Sequence, residues 1–276
     1  MAWQGQLQIA YRRDGERTTA LDLHHGPLRV LQRLYPEGPG ICQHVLVHPP
    51  GGIVGGDTLA IALRLAAGSH ALLTTPGATR FYRSDGAPAV QTLKATLEES
   101  ARLEWLPLET IAYSGCIAQN HFSFELAPGA EMMGWDLLAL GLPAAGAAFE
   151  RGSVLQHLEL PGVWLERGRI AAEDAALLAS PLGLAGHRVM ATLWFASGSP
   201  LAPARRDALL ELAREQFGLC ALSATAGATS PDPRVVVCRV LAPRVEPAFA
   251  LWRAVRAAWR KAAWQLAAVP PRVWST

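Results

Sequence analysis

One recurring turn constrains this chain more than any other feature. "LAAGSHA" at 65–71, "LEESARL" at 97–103 and "LAPGAEM" at 126–132 share a shape: a leucine closes a strand, small residues turn, and a new strand begins. "LPGVWL" at 160–165 reads as a fourth copy, which puts the leading leucines 32, 29 and 34 residues apart. Between the turns, apolar and polar residues alternate. Leu93, Ala95 and Leu97 oppose Lys94, Thr96 and Glu98, and Phe122, Phe124 and Leu126 oppose His121, Ser123 and Glu125. Alternation with period two is the pattern of a strand with one buried face. Strand, turn and strand recurring at such distances predict a mainly β fold of stacked, solenoid-like sheet layers. The same turns also recur without stacking in ordinary β-proteins. "RVMATLWFA" and "RVVVCRVLA" read as further strands.

The period changes in the last third. "PARRDALLELAREQFG" carries Leu209, Leu212, Ala213 and Phe217 at helical spacing, with Gly218 placed to end the helix. "EPAFALWRAVRAAWRKAAWQL" places Phe249, Trp252, Val255, Trp259 and Leu266 on one stripe. Arg253, Arg256 and Arg260 lie largely elsewhere, as a solvated face or as a docking surface for an acidic partner. "SPDPR" at 230–234 reads as a loop, and "PPRVWST" as an extended end. The expected organisation is one domain over residues 1–276, with a β body over about 1–200 and two helices in the portion from about 201 to 276.

Half the residues are hydrophobic and only 17% are charged, against roughly 25% charged in an ordinary globular chain. No apolar run reaches the ~20 residues that span a bilayer, and the first residues lack a signal layout. A cytoplasmic protein with partner-facing apolar surface is expected. A net charge of +2 is too small for a nucleic-acid footprint. Cys42, Cys116, Cys220 and Cys238 are dispersed and read as reduced core thiols.

The most unusual local stretch is "HPPGGIVGGDT" at 48–58. Gly51 to Thr58 fits the phosphate-loop pattern except that Asp57 replaces its lysine, which puts a negative charge where phosphate would sit. A strand-like "LAIALRL" follows instead of the required helix. The loop therefore does not bind a nucleotide. Gly51, Gly52, Gly55 and Gly56 permit unusual backbone geometry, Pro49 and Pro50 stiffen the entrance, and Asp57 either caps the turn or lines a cation route. Catalytic signatures are missing: there is no G-x-S-x-G elbow and no H-E-x-x-H. Cys116 lies five residues from His121 without an orienting third group, so it reads as a structural thiol. Cys42, His44 and His48 are spaced to share one strand face, either as satisfied core residues or as contacts for a passing metal ion. The acids Asp57, Glu131, Asp136 and Glu173 are scattered singly.

Taken together, several blocks resemble the UreD (UreH) family of urease accessory proteins. "HPPGGIVGGDTL" followed by "HALLTTPGATRFYRS", then "LEWLPLETIAYSG", then "RVLAPRVEPAFALWRAVRAAWR" with the terminal "PPRVWST" are similar to that family in order and spacing, nearly end to end. The resemblance implies a non-enzymatic scaffold or chaperone that joins UreF and the GTPase UreG to the urease apoprotein. It also implies help in nickel insertion, with transient Ni2+ passing along a water-filled route and no tightly bound cofactor. It places His48 to Asp57 in one signature segment and Thr74, Thr75, Arg80 and Tyr82 in a second, near the route or at a partner surface. Alternating strand geometry excludes a common face for all four of the latter. Where the family often carries an arginine and a glutamate, this chain has Leu142 and Ala147, a coordinated replacement. That shifts the expected nickel route to Asp57, Glu131, Asp136 and Glu173, since a route needs weak oxygen sites. The alternatives are a β-solenoid hydrolase acting on a polymer, which needs paired carboxylates, and a structural β-scaffold with other partners.

Overall fold

The computed structural model describes residues 2–275. The chain opens with a hairpin, β1 (Gln4–Asp14) and β2 (Arg17–His25), followed by β3 (Arg29–Val30) and β4 (Ile41–Val47). Three coils then follow. The first is β5 (Thr58–Leu65), β6 (His70–Thr74) and β7 (Thr79–Phe81); the second is β8 (Ala89–Leu97), β9 (Arg102–Trp105) and β10 (Thr110–Ala112). The third is β11 (Cys116–Leu126) and the long β12 (Glu131–Leu140), whose two halves pair with β9 and β10. Next come β13 (Gly152–Leu160), β14 (Trp164–Ala171), the short α1 (Ala175–Ala179) and β15 (Val189–Ser197). Helix α2 (Pro203–Gly218), strands β16 (Ala226–Asp232) and β17 (Val235–Ala242), and helix α3 (Val245–Trp264) complete the order.

The repeated turn builds the solenoid. Leu65, Leu97 and Leu126 stand in register across parallel strands. Three residues after each leucine the backbone is left-handed, at Gly68 (φ +68°), Ser100 (φ +59°) and Gly129 (φ +78°). This geometry carries the chain from one sheet to the other. The fourth copy does something else. Gly162 (φ +69°) follows Leu160 after only two residues, and Val163 N–H bonds to the Leu160 carbonyl at 2.9 Å. With one residue fewer, the chain closes an antiparallel hairpin with β14 in the same sheet. The fourth copy thus keeps the leucine, turn and strand of the sequence pattern, but without the change of sheet.

Two sheets face each other. The first runs β14-β13-β11-β8-β5-β1-β2, and the second runs β16-β17-β15-β12-β9-β6-β4-β3, with β10 and β7 beside β12. The first keeps one face toward solvent, so its strands alternate (β8 reads buried, half-buried, buried). The second is buried on both faces: β15 runs Val189 to Ser197 almost wholly buried, because α2 and α3 cover its outer side. Strands β16 and β17 extend this sheet beyond residue 200, between the two long helices. "SPDPR" contributes the end of β16 and the hairpin turn into β17. The end of the chain is not extended: Arg272–Ser275 form a short 3-10 turn, with Trp274 Nε1 donating to Thr74 Oγ1 at 2.8 Å.

Helix α3 holds most of the expected stripe inside, with Trp252, Val255 and Trp259 fully buried. Its basic face divides. Arg253 stays exposed, over the rings of Phe249 and Trp274. Arg256 and Arg260 are buried, which corrects the expectation that they lie on a surface. Arg256 Nε donates to Glu104 Oε2 at 2.8 Å, and an Arg260 guanidinium nitrogen donates to Glu37 Oε2 at 2.7 Å. His70 Nε2 sits 3.1 Å from the other Glu104 oxygen. Burial alone would raise the Glu104 pKa, but Arg256, the His70 hydrogen bond and Arg260 outweigh it and hold the carboxyl well below its ordinary value. The cluster fastens α3 to the second sheet.

Candidate functional site: a polar layer between the sheets

Two apolar clusters fill the space between the sheets, and a polar layer separates them. On β11, Ala118 belongs to one cluster and Phe122 to the other, with Asn120 between them. On β8 the sequence of inward residues is Ala89, Gln91, Leu93, and on β13 it is Val154, Gln156, Leu158. Gln91, Asn120 and Gln156 are register partners across the three strands. On the second sheet the matching row is Asp136, Thr192 and Arg239.

A cavity of about 290 Å³ opens at one end of this layer. Its walls include His48, Pro49, Gly51 and Gly52 from the first signature segment, Thr75 and Arg80 from the second, and Gln91 and Asp136 at its inner side. A much smaller cavity, about 20 Å³, shares Phe122 and Asp136 with it and reaches Asn120, Gln156, His157, Glu166 and Thr192. That volume holds about one water-sized particle. At the outer side, Arg239 pairs with Glu166.

Asp136 is the carboxylate common to both cavities. Burial pushes its pKa up to about 6, against a Gln156 hydrogen bond (Nε2 to Oδ2, 2.5 Å) that favours the anion, with Glu166 adding to the rise. Asn120 is 2% exposed, and neither its Oδ1 nor its Nδ2 has a partner among the described residues. A buried side-chain amide left so is costly, roughly 1–3 kcal/mol per unsatisfied group, and the small cavity beside it is the place where a water or an ion would answer it. His48 Nε2 is likewise buried without a partner; burial lowers its pKa, opposed by Asp57.

The other acids lie elsewhere. Asp57 is 1% exposed and anchors its turn: Trp3 N–H donates to Oδ1 at 2.7 Å and Val54 N–H to Oδ2 at 3.0 Å. Of the two sequence readings, this geometry is the turn cap. Glu131 takes a two-point contact from Arg205 and a hydrogen bond from Trp264 Nε1 (2.7 Å), tying both long helices to β12. Glu173 is exposed, 3.9 Å from Arg169. Asp57, Glu131, Asp136 and Glu173 thus do not converge.

The signature glycines have local causes. A Cβ on Gly52 would lie 2.0 Å from the Tyr82 ring, so the two signature segments pack directly on each other. Ile53 N–H also bonds to the Arg80 carbonyl at 2.7 Å, and Tyr82 N–H to the Ile53 carbonyl at 2.9 Å. Gly56 has φ +93°, a conformation that residues with a Cβ resist. Thr75 Oγ1 accepts from Leu108 N–H at 2.9 Å. The second segment thus splits: Thr75 and Arg80 line the cavity, while Thr74 and Tyr82 hold the tail and the loop.

Cys42 and His44 do share the inward face of β4, but His48 lies past its end. His44 Nδ1 meets Tyr11 Oη at 2.7 Å, and burial lowers its pKa to about 4. Cys116 faces inward, and burial raises its thiol to about 12; His121, an odd number of residues away, faces outward. Among the described residues, no group of three or more His, Cys, Asp or Glu is arranged to hold a metal ion. Leu142 and Ala147 form an antiparallel bridge, so the two replaced positions are neighbours; neither lines the two cavities.

Sequence reasoning missed Gln91, Asn120, Gln156, Glu166 and Arg239. A signal for two of them was present: Gln91 and Asn120 each lie six residues before a turn leucine, at equivalent places in the repeat.

A family model described as UreD urease accessory protein matches residues 4–275. A protein named urease accessory protein UreD from Leptothrix cholodnii is 65% identical over the whole of both chains. Those from Albidiferax ferrireducens and Polaromonas sp., under the same name, are 60% and 59% identical, again over the full length of each. No helix among the described residues is long and apolar enough to cross a membrane. With a family model over residues 4–275 and relatives 59–65% identical over their full length, the chain belongs to the UreD family of urease accessory proteins.

Proposed function

We propose that this chain is a maturation factor that joins UreF and the GTPase UreG to the urease apoprotein, and that nickel crosses it along the polar layer between the sheets. The observation that carries the reading is Asp136 between two cavities, beside the unpartnered amide of Asn120. The large cavity lies against both signature segments and admits a hydrated ion. The small one does not, so the ion must exchange some of its water for the Asp136 carboxylate and the Asn120 and Gln156 amide oxygens. Single oxygen donors of this kind hold Ni2+ weakly enough to release it. GTP hydrolysis belongs to UreG on this reading, and the cell compartment is the cytoplasm. A hydrolase acting on a polymer is disfavoured: Asp136 and Glu166 do share the small cavity, but a space of about 20 Å³ has no room for a sugar ring.

The test is to co-produce the urease subunits and the other accessory proteins with this chain, without it, and with Asp136→Leu, under limiting nickel. Nickel-loaded urease should form only with the wild-type chain. Equal loading without the chain overturns the maturation role. Full loading with Asp136→Leu overturns the route.

A further inference from the structure

The solvent face of the first sheet carries a second feature, of which His157 also borders the small cavity. His121 on β11 and His157 on β13 are direct register partners. Their inward neighbours Phe122 and Leu158 enter the core, so both imidazoles stand on the outer face. The ring centroids are 5.7 Å apart, with the planes 36° from parallel. His157 Nε2 lies 3.0 Å from Glu159 Oε2, and His121 Nε2 lies 3.4 Å from Gln119 Oε1. Neither Nδ1 has a hydrogen-bond partner among the described residues.

We infer that His121 and His157 form a two-imidazole surface site for a borderline divalent transition-metal ion, Cu2+, Ni2+ or Zn2+, whose remaining positions are filled by water. Imidazole nitrogen selects these ions over Mg2+ and Ca2+. The Glu159 contact supplies His157 with the outer hydrogen bond that metal-ligating histidines almost always make: Nε2–H donates to the carboxylate, and the Nδ1 lone pair is left for the ion. Arg167 stands opposite His157 on β14, and its charge weakens cation binding. The site is therefore labile, suited to brief holding of an ion on the surface.

The test is calorimetric titration of the full-length chain with NiCl2 and CuCl2, with MgCl2 as control. One equivalent of Cu2+ should bind more tightly than Ni2+, and Mg2+ should not bind. His121→Ala and His157→Ala should each lower the affinity more than Glu159→Gln, which should cost roughly tenfold. The paired His24→Ala/His25→Ala variant should leave the site unchanged. Unaltered Ni2+ affinity in His157→Ala, or Mg2+ binding equal to that of Ni2+, overturns the assignment. Because the readout is binding to the isolated chain, failure here leaves the nickel route through Asp136 untouched.

Discussion

Two buried polar assemblies lie on opposite sides of the second sheet, and they solve the same problem differently. Under α3, Glu104 meets Arg256, Arg260 and His70, while Glu37 meets Arg260; the carboxylates are matched by cations. Between the sheets, Asn120 is left without protein partners and Asp136 has one amide and two cavities. A matched cluster locks one arrangement in place. A polar row that the protein does not itself satisfy, next to open volume, costs stability and keeps donors free for something that moves. The difference is one of charge pairing, not of hydrogen-bond count: Arg256 Nη2 and Arg260 Nε and Nη2 also lack hydrogen-bond partners among the described residues, but each guanidinium faces a carboxylate.

The comparison breaks most visibly if the clamp is not a clamp. Glu104→Gln leaves Arg256 without its anion and Arg260 with Glu37 alone, and should destabilise the fold by about 3–5 kcal/mol in denaturant unfolding at pH 7. Because the folded-state pKa of Glu104 is depressed, its stabilisation is present above the unfolded value of ~4.3 and is lost as pH falls below it. The deficit of the variant should therefore shrink in acid. A pH-independent loss would show that the cluster is not held by charge.

Asp57→Ala ranks next. Removing the acceptor of two backbone N–H groups should cost about 1–3 kcal/mol. When folded at low temperature, the variant should still support nickel loading of urease. Normal stability with lost loading would return Asp57 to the route.

Asp136→Asn sharpens the other side. Its folded pKa of about 6 exceeds the ordinary 3.8, so the wild-type carboxyl is favourable when protonated, and that advantage is lost as pH rises through about 6. The asparagine variant should be more stable than wild type at pH 7.5, with the gap closing between pH 6 and 4 in thermal melts. A gap that persists at pH 4 would mean that ionisation is not its cause.

Much of the fold was legible because the turns are local. A leucine followed three residues later by a left-handed position defines each crossing, and the chain states it three times. The copy at Leu160 keeps the leucine, turn and strand, but its left-handed position comes one residue earlier and the chain stays in the same sheet. The two long helices were legible from their apolar spacing, but the fates of Arg256 and Arg260 were not. Their partners Glu104 and Glu37 lie 152 and 223 residues away in sequence. The signature loop pointed to the mouth of the large cavity, yet its aspartate is a turn anchor. The deeper residues Asn120 and Gln156 read as ordinary strand polars until register places them opposite Asp136.

The most direct test of the central claim replaces the unpartnered amide itself. Asn120→Leu fills the small cavity with apolar atoms and removes two unsatisfied groups. Its thermal stability should equal or exceed that of wild type, and the partners should still co-purify. The decisive quantity is nickel per urease active site after co-production under limiting nickel. The account predicts a fall to the level reached without this chain. Wild-type nickel content from a folded, partner-bound Asn120→Leu chain would contradict it.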